Sequence, residues 1–231
     1  MRLDKFLCDC NRGTRSQIKK DIKSGLVTVN GVKALKPEQH INENEDYICC
    51  KGQPCVYEKY VYYMLHKPAG VVSATEDKRE RTVIDLLGQE KKDDLFPVGR
   101  LDKDAEGLLV LTNDGALAHV LLSPVKHVEK EYECHLAYPF DDVQKMQLEQ
   151  GVDIGEKSLT KSAVVKILDE KKITLTITEG KFHQVKRMLH AVGNEVVYLK
   201  RLRMGTLKLD ESLSKGSFRR LTEEETENLR K

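Results

Sequence analysis

The sequence has no tryptophan, aromatic residues make up only 6% of it, and no apolar run approaches the roughly 20 residues a membrane-spanning helix requires. The opening stretch MRLDKFLCDC carries no apolar signal core, so a cytoplasmic protein without a membrane partner is expected. Six cysteines are present, Cys8, Cys10, Cys49, Cys50, Cys55 and Cys134, yet none stands in the C-x-x-C spacing that zinc ribbons use. They read as reduced thiols, and neither a metal nor a cofactor is expected. Glycine-rich loops of the kind that cradle phosphate are missing too.

A hydrophobic fraction of 39% is enough for a real core, and 231 residues suit one main domain with a modest appendage. Net charge is only +2, but it is unevenly placed. From Met1 to Lys36, nine basic residues face three acidic ones, and from Gly180 to Lys208 seven face Glu195 alone. Two basic segments around a near-neutral middle suit a polyanion, since phosphate contacts dominate nucleic-acid affinity. Solvated helix faces would give the same charge pattern.

The first segment reads helix, turn, helix, hairpin. Thr14 can cap RSQIKKDIKSG, in which Ile18 and Ile22 form an apolar i, i+4 pair, Gly25 stops the helix, and Arg15, Lys19, Lys20 and Lys23 form a basic face. LVTVNGVKA then alternates around an Asn30-Gly31 turn. A helix with one apolar and one cationic face beside a small hairpin suits the backbone of folded RNA. Through RLDKFL, TRSQIKKDIKSGLVTVNG and the valine after the turn, about the first 50 residues resemble the S4 RNA-binding module. CCKGQPCVYEK, Cys49 to Lys59, reads as a linker, which gives an RNA-binding domain and linker over 1–58 and a second domain over 59–231.

That second domain begins with YVYYMLHKPAGVVSAT, read as a strand, a Lys67-Pro68-Ala69-Gly70 turn and the entry to a second strand. TVIDLLG, Thr82 to Gly88, reads as a short helix, and DDLFPVGR, 93–100, leads back into the core. GLLVLT is apolar throughout, as in a strand covered on both faces. Asn113-Asp114-Gly115 turns into the helix ALAHVLLS, stopped by Pro124, and KEYECHL alternates with Tyr132, Cys134 and Leu136 on one face. Further strands at AVVKIL, ITLTIT and EVVYLKRLRMG, with a helix over 183–192, define an α+β fold.

The stretch GRLDKDAEGLLVLTNDG, Gly99 to Gly115, sets charge at the mouth of a buried strand. An arginine two residues ahead of an aspartate can hold a carboxylate ionised and aimed into a cleft. Alternatively Asp102 or Asp104 caps a turn, or the two bind magnesium for phosphoryl transfer, a reading that wants the absent phosphate-cradling glycines. HKPAGVVSAT before this stretch, KEY after it, then EGKFHQVKRMLHAVG and LKRLRMG, together resemble the pseudouridine synthases over essentially the whole chain. The resemblance is closest to the branch that carries an S4 module in front and modifies ribosomal RNA.

That resemblance implies a central mixed, mainly antiparallel sheet, and an isomerase that breaks the N-glycosidic bond of a uridine in RNA and rejoins the uracil through carbon. It gives Asp102 the part of the catalytic carboxylate, as nucleophile, electrostatic stabiliser or proton acceptor. Tyr132 would stack on the everted uracil, where a plain core tyrosine is the alternative. Lys186, a point charge where much of the wider family has a forked arginine, would pair with Asp102. Arg187 would meet phosphate, and Arg100 would organise the loop or meet the target's phosphate. Leu199 would form the apolar wall opposite Tyr132, unless it is simply core. His183 would contact RNA or cap its helix, and receives no catalytic role. Two departures from the family pattern stand out: Ala105 replaces a threonine or serine, removing a hydroxyl that could stiffen the loop, and His66 replaces an asparagine.

The overall length and FPVGRLDKDAEG favour small-subunit ribosomal RNA, free or in an assembling subunit, with the protein acting as a monomer. The rivals are a large-subunit enzyme of the same branch and a non-catalytic RNA-binding assembly factor.

Overall fold

The computed structural model describes residues 1–90 and 94–230, and these divide into two compact units, Met1–Tyr60 and Val61–Lys231. In the first, helix α1 (Leu3–Asp9) buries Leu3, Phe6 and Leu7, one stripe at i, i+3, i+4. Helix α2 (Arg15–Lys23) buries Ile18 and Ile22, and the Thr14 side chain accepts a hydrogen bond from Gln17 N at its start. Strands β1 (Val27–Val29) and β2 (Val32–Lys33) join through Asn30 and Gly31, at φ 51° and 81°, a turn that asparagine and glycine adopt most readily. Strands β3 (Ile48–Cys50) and β4 (Gln53–Pro54) complete an antiparallel sheet of order β2-β1-β3-β4. The stretch expected to be a linker therefore folds into this unit: Lys51 and Gly52 turn a hairpin, and Lys51 Nζ lies 2.9 Å from the buried Asp21 of α2.

In the second unit β5 (Tyr62–Lys67) is followed by a 3-10 turn over Asp85–Glu90, beginning three residues later than the sequence suggests. Thr82 and Asp85 cap one another at its start, Thr82 N donating to Asp85 Oδ2 at 3.0 Å and Asp85 N to the Thr82 hydroxyl at 3.3 Å, and the second strand expected after Gly70 is only an isolated bridge between Val72 and Thr82. Of DDLFPVGR, Asp93 lies outside the described residues; β6 (Phe96–Pro97) pairs with β7 (Glu106–Thr112). Helix α3 (Gly115–Leu122) is capped by Asp114, whose Oδ1 accepts from Ala116 N and Leu117 N, both at 3.1 Å. Then come β8 (Lys130–Leu136), α4 (Asp142–Gln150), β9 (Val164–Asp169), β10 (Lys172–Ile177), α5 (Gln184–Ala191), β11 (Val196–Met204), β12 (Leu207–Lys208), β13 (Phe218–Arg220) and α6 (Glu223–Arg230).

The strands form one mixed sheet, β13-β5-β7-β11-β8-β10-β9, with β6 and β12 attached to β7 and β11. Strand β7 is buried at every residue because the sheet is covered on both sides: Leu109 and Leu111 enter one apolar cluster, Leu108 and Val110 the other. Each such leucine contributes about 2 kcal/mol of burial. Among the described strand pairings only β7 with β11 is parallel, matching Glu106 to Lys200 and Gly107 to Arg201. At Gly107 (φ 106°) a Cβ would lie 2.6 Å from Arg201 N and closer still to its carbonyl oxygen, so only glycine permits this approach. No helix among the described residues is long and apolar enough to cross a membrane.

Candidate active site

The segment from Arg100 to Ala105 lies between β6 and β7. The Ser73 hydroxyl donates to Leu101 O at 2.8 Å, and Ala105 N closes a turn onto Asp102 O at 3.1 Å. Beneath it lies Lys67, the last residue of β5, with no exposed surface. Its ammonium donates to the carbonyls of Ala105 (2.7 Å), Asp102 (2.9 Å), Pro68 (3.1 Å) and Lys103 (3.2 Å). This cage does the stiffening that a hydroxyl at position 105 would otherwise offer. Burial pushes the Lys67 ammonium down to about 8, with Asp104 and Asp102 partly offsetting it. His66, the other departure, is also buried, and its Nδ1 donates to Leu213 O at 2.7 Å.

So fixed, Asp102 projects into a cleft that Arg100, Tyr132, Leu199 and His183 also line. Helix α5 buries Val185, Met188 and Leu189, presents Gln184 and Val185 to the cleft, and sets Lys186 beside the Asp102 carboxylate. Lys186 Nζ stands 3.6 Å from Asp102 Oδ2 and 2.7 Å from both carboxylate oxygens of Asp104. The pairing expected with Asp102 is thus a shared one in which Asp104, the more exposed carboxylate of the same loop, holds the short bonds. Lys186 keeps the Asp104 carboxyl below the usual carboxylate range. On the other flank His183 Nε2 lies 3.5 Å from Asp102 Oδ1, a contact the sequence does not announce.

Tyr132 is mostly buried on β8 with its ring at the cleft, and its hydroxyl has no hydrogen-bond partner among the described residues. Leu199, one strand away on β11, lines the same cleft. Arg100 is exposed and unpaired among the described residues. Arg187, expected to meet phosphate, is engaged within the protein: it donates to Glu156 Oε1 (2.9 Å), Phe182 O (3.0 Å) and Ile154 O. Those acceptors come from a loop about thirty residues earlier and from the residues ahead of α5, contacts that spacing within the helix does not reveal. Arg15, Lys19, Lys20 and Lys23 are exposed along α2 of the first unit. Sequence reasoning missed Lys67, and it offered His183 as a helix cap where the structure shows no side-chain cap but a contact with Asp102. A lysine closing an otherwise apolar strand, just ahead of proline, was the available signal for Lys67.

Fold and cleft together define a protein with an S4-like unit joined to a sheet-based catalytic unit whose carboxylate, aromatic ring and cation converge on one opening. The RNA pseudouridylate synthase family matches residues 61–191, more than half of the chain, and the S4 domain matches residues 1–46. The RNA pseudouridine synthase YtzG of Bacillus subtilis (strain 168) is 50% identical, over 97% of this chain and 96% of its own length. The ribosomal small subunit pseudouridine synthase A of Vibrio cholerae is 41% identical over 99% of each chain. A crystal structure of a pseudouridylate synthase superposes with TM-score 0.71 at 39% identity, covering 99% of both chains. The chain belongs to the RNA pseudouridine synthases: it is an RNA-binding isomerase with an S4 domain ahead of its catalytic unit.

Proposed function

We propose that this protein converts a uridine of small-subunit ribosomal RNA to pseudouridine, with Asp102 as its catalytic carboxylate. The assignment of roles is supported by the meeting of Asp102, Tyr132 and Leu199 in one cleft, with Lys186 Nζ 3.6 Å from the Asp102 carboxylate. The printed name of the Vibrio cholerae relative supports the choice of substrate. The uridine leaves its stack and enters the cleft, where the Tyr132 ring and Leu199 sandwich the uracil and compensate for lost stacking. The bond between N1 and C1′ breaks, the uracil turns, and C5 bonds to C1′. The proton lost from C5 balances the one gained at N1, so no atom enters or leaves overall. Asp102 faces C1′, the atom that becomes electron-poor, as nucleophile or stabilising anion, or accepts the C5 proton. Lys186 and His183 hold the carboxylate in place, and Arg100 meets a target phosphate.

The segment 1–58 grips folded RNA through Arg15, Lys19, Lys20 and Lys23, while 59–231 performs the chemistry, the protein acting as a cytoplasmic monomer. The test is incubation of purified protein with small-subunit ribosomal RNA in the presence of chelator, followed by mapping of pseudouridine. One new site is expected with the wild type and none with Asp102→Asn. Equal modification by both removes Asp102 from its role, and modification confined to large-subunit RNA moves the substrate to the other subunit.

A further inference from the structure

Just ahead of α5, Phe182 is 68% exposed, an unusual setting for so large an apolar side chain at the rim of a polar cleft. Its ring stacks on that of His183, with centroids 3.8 Å apart and planes 20° apart, which leaves its outer face to solvent. His183 in turn touches the Asp102 carboxylate at 3.5 Å. The pair is held by a built backbone. His183 adopts a left-handed conformation, φ 48°, at the helix N-cap, where its carbonyl accepts from Arg187 N at 3.0 Å and its side chain makes no capping hydrogen bond, which leaves the ring to the stack. Lys181 N donates to Gln184 Oε1 at 2.8 Å, and Arg187 clamps the Phe182 carbonyl.

We infer that the Phe182–His183 stack is a second nucleobase platform, one that receives the base adjoining the everted uridine in the RNA strand. The inference rests on the proposed reaction at Asp102 and deepens it. Once a uridine has been drawn into the cleft, the neighbouring base loses a stacking partner. An exposed ring one imidazole removed from the catalytic carboxylate stands where that neighbour emerges. An aromatic face accepts any base, because every base has a π-face, while Arg100, exposed on the same cleft, offers charge to the connecting phosphate. Arg187 then acts as a positioning residue, fixing the platform instead of touching RNA.

The test measures pseudouridine formation by the full-length protein against transcribed small-subunit ribosomal RNA, with equilibrium binding of the same transcript followed in parallel. Phe182→Ala and Phe182→Leu are each expected to raise apparent KM and Kd by about 10-fold, the effect of losing one stacked base. Their kcat should fall by less than about 3-fold, since the reacting groups are untouched. Phe182→Tyr restores wild-type values. Arg187→Gln raises KM by itself and adds nothing in the Phe182→Ala background, because the two act as one unit. A wild-type KM and Kd in Phe182→Ala overturn the platform, as does full activity in Phe182→Leu, which would mean that an apolar contact suffices. Absence of pseudouridine from the wild-type reaction sinks the functional reading instead, and the binding measurement still decides the platform.

Discussion

Two lysines grip the segment that carries Asp102, and they do it in opposite media. Lys67 is wholly enclosed and satisfies its charge on four neutral main-chain carbonyls. Lys186 stands at the cleft and divides itself between two carboxylates. Removing a buried donor leaves acceptors orphaned away from water, whereas removing a partly solvated cation leaves carboxylates that water can still reach. On the proposed mechanism the inner lysine therefore serves both fold and reaction, and the outer one the reaction alone.

The most severe break in that contrast is Lys67→Met. It should lower the melting temperature clearly and cut pseudouridine formation by about 100-fold, since misplacing a reacting group by an ångström costs about that much; an unchanged melting curve would deny the cage its structural part. Next, Lys186→Met should reduce turnover by about 10- to 100-fold, the range expected when one electrostatic contact at a reacting centre is lost, with a melting curve like that of the wild type. Lys186→Arg should recover most of the loss, because a forked guanidinium can span Asp102 and Asp104.

Alkali separates the two lysines more gently. The folded value for Lys67, about 8, lies below the ordinary 10.5. Between these values the unfolded chain holds a proton that the folded chain has released, so this group alone makes stability rise with pH across that window and contributes no slope below it or above it. The neutral amine nonetheless has one hydrogen fewer for four carbonyls. Activity is thus expected to fall above pH 8 while this group's contribution to stability increases. A rate constant that stays flat from pH 7 to 9.5, in single-turnover measurements, would show that the cage keeps its proton. The smallest effect belongs to Asp104→Ala, which frees Lys186 for Asp102 and should change the rate by less than about 5-fold.

Much of this was legible in the sequence wherever local chemistry determines the outcome. The Thr14 cap, the Asn30-Gly31 turn and the uniformly apolar β7 each have a cause within a few residues. Asp102, Tyr132 and Leu199 could be named because ordered motifs surround them, and they do line one cleft. Helix α4 escaped notice because Leu148 alone is buried on it, although Asp141 and Gln144 form a reciprocal capping box. Helix α6 and strand β13 were overlooked for a related reason. Their sequence is strongly charged, and they are held by Arg219 on Glu225 and by Arg230 on Asp114, links no periodicity displays. The carbonyl cage of Lys67 was hidden because its acceptors are main-chain atoms, identical at every residue. Arg187 misled for the opposite reason: a lysine-arginine pair on a helix looks solvated until distant acceptors come into view.

The parallel junction of β7 and β11 has a consequence for tolerance to change. Asp102 lies just ahead of one of these strands and Leu199 on the other, so the calibre of the opening is a main-chain spacing, set where Gly107 meets Arg201. Leucines of the layer that holds Leu108 can drift without resizing the aperture, whereas a single methyl group at position 107 would force the two edges of the gauge apart.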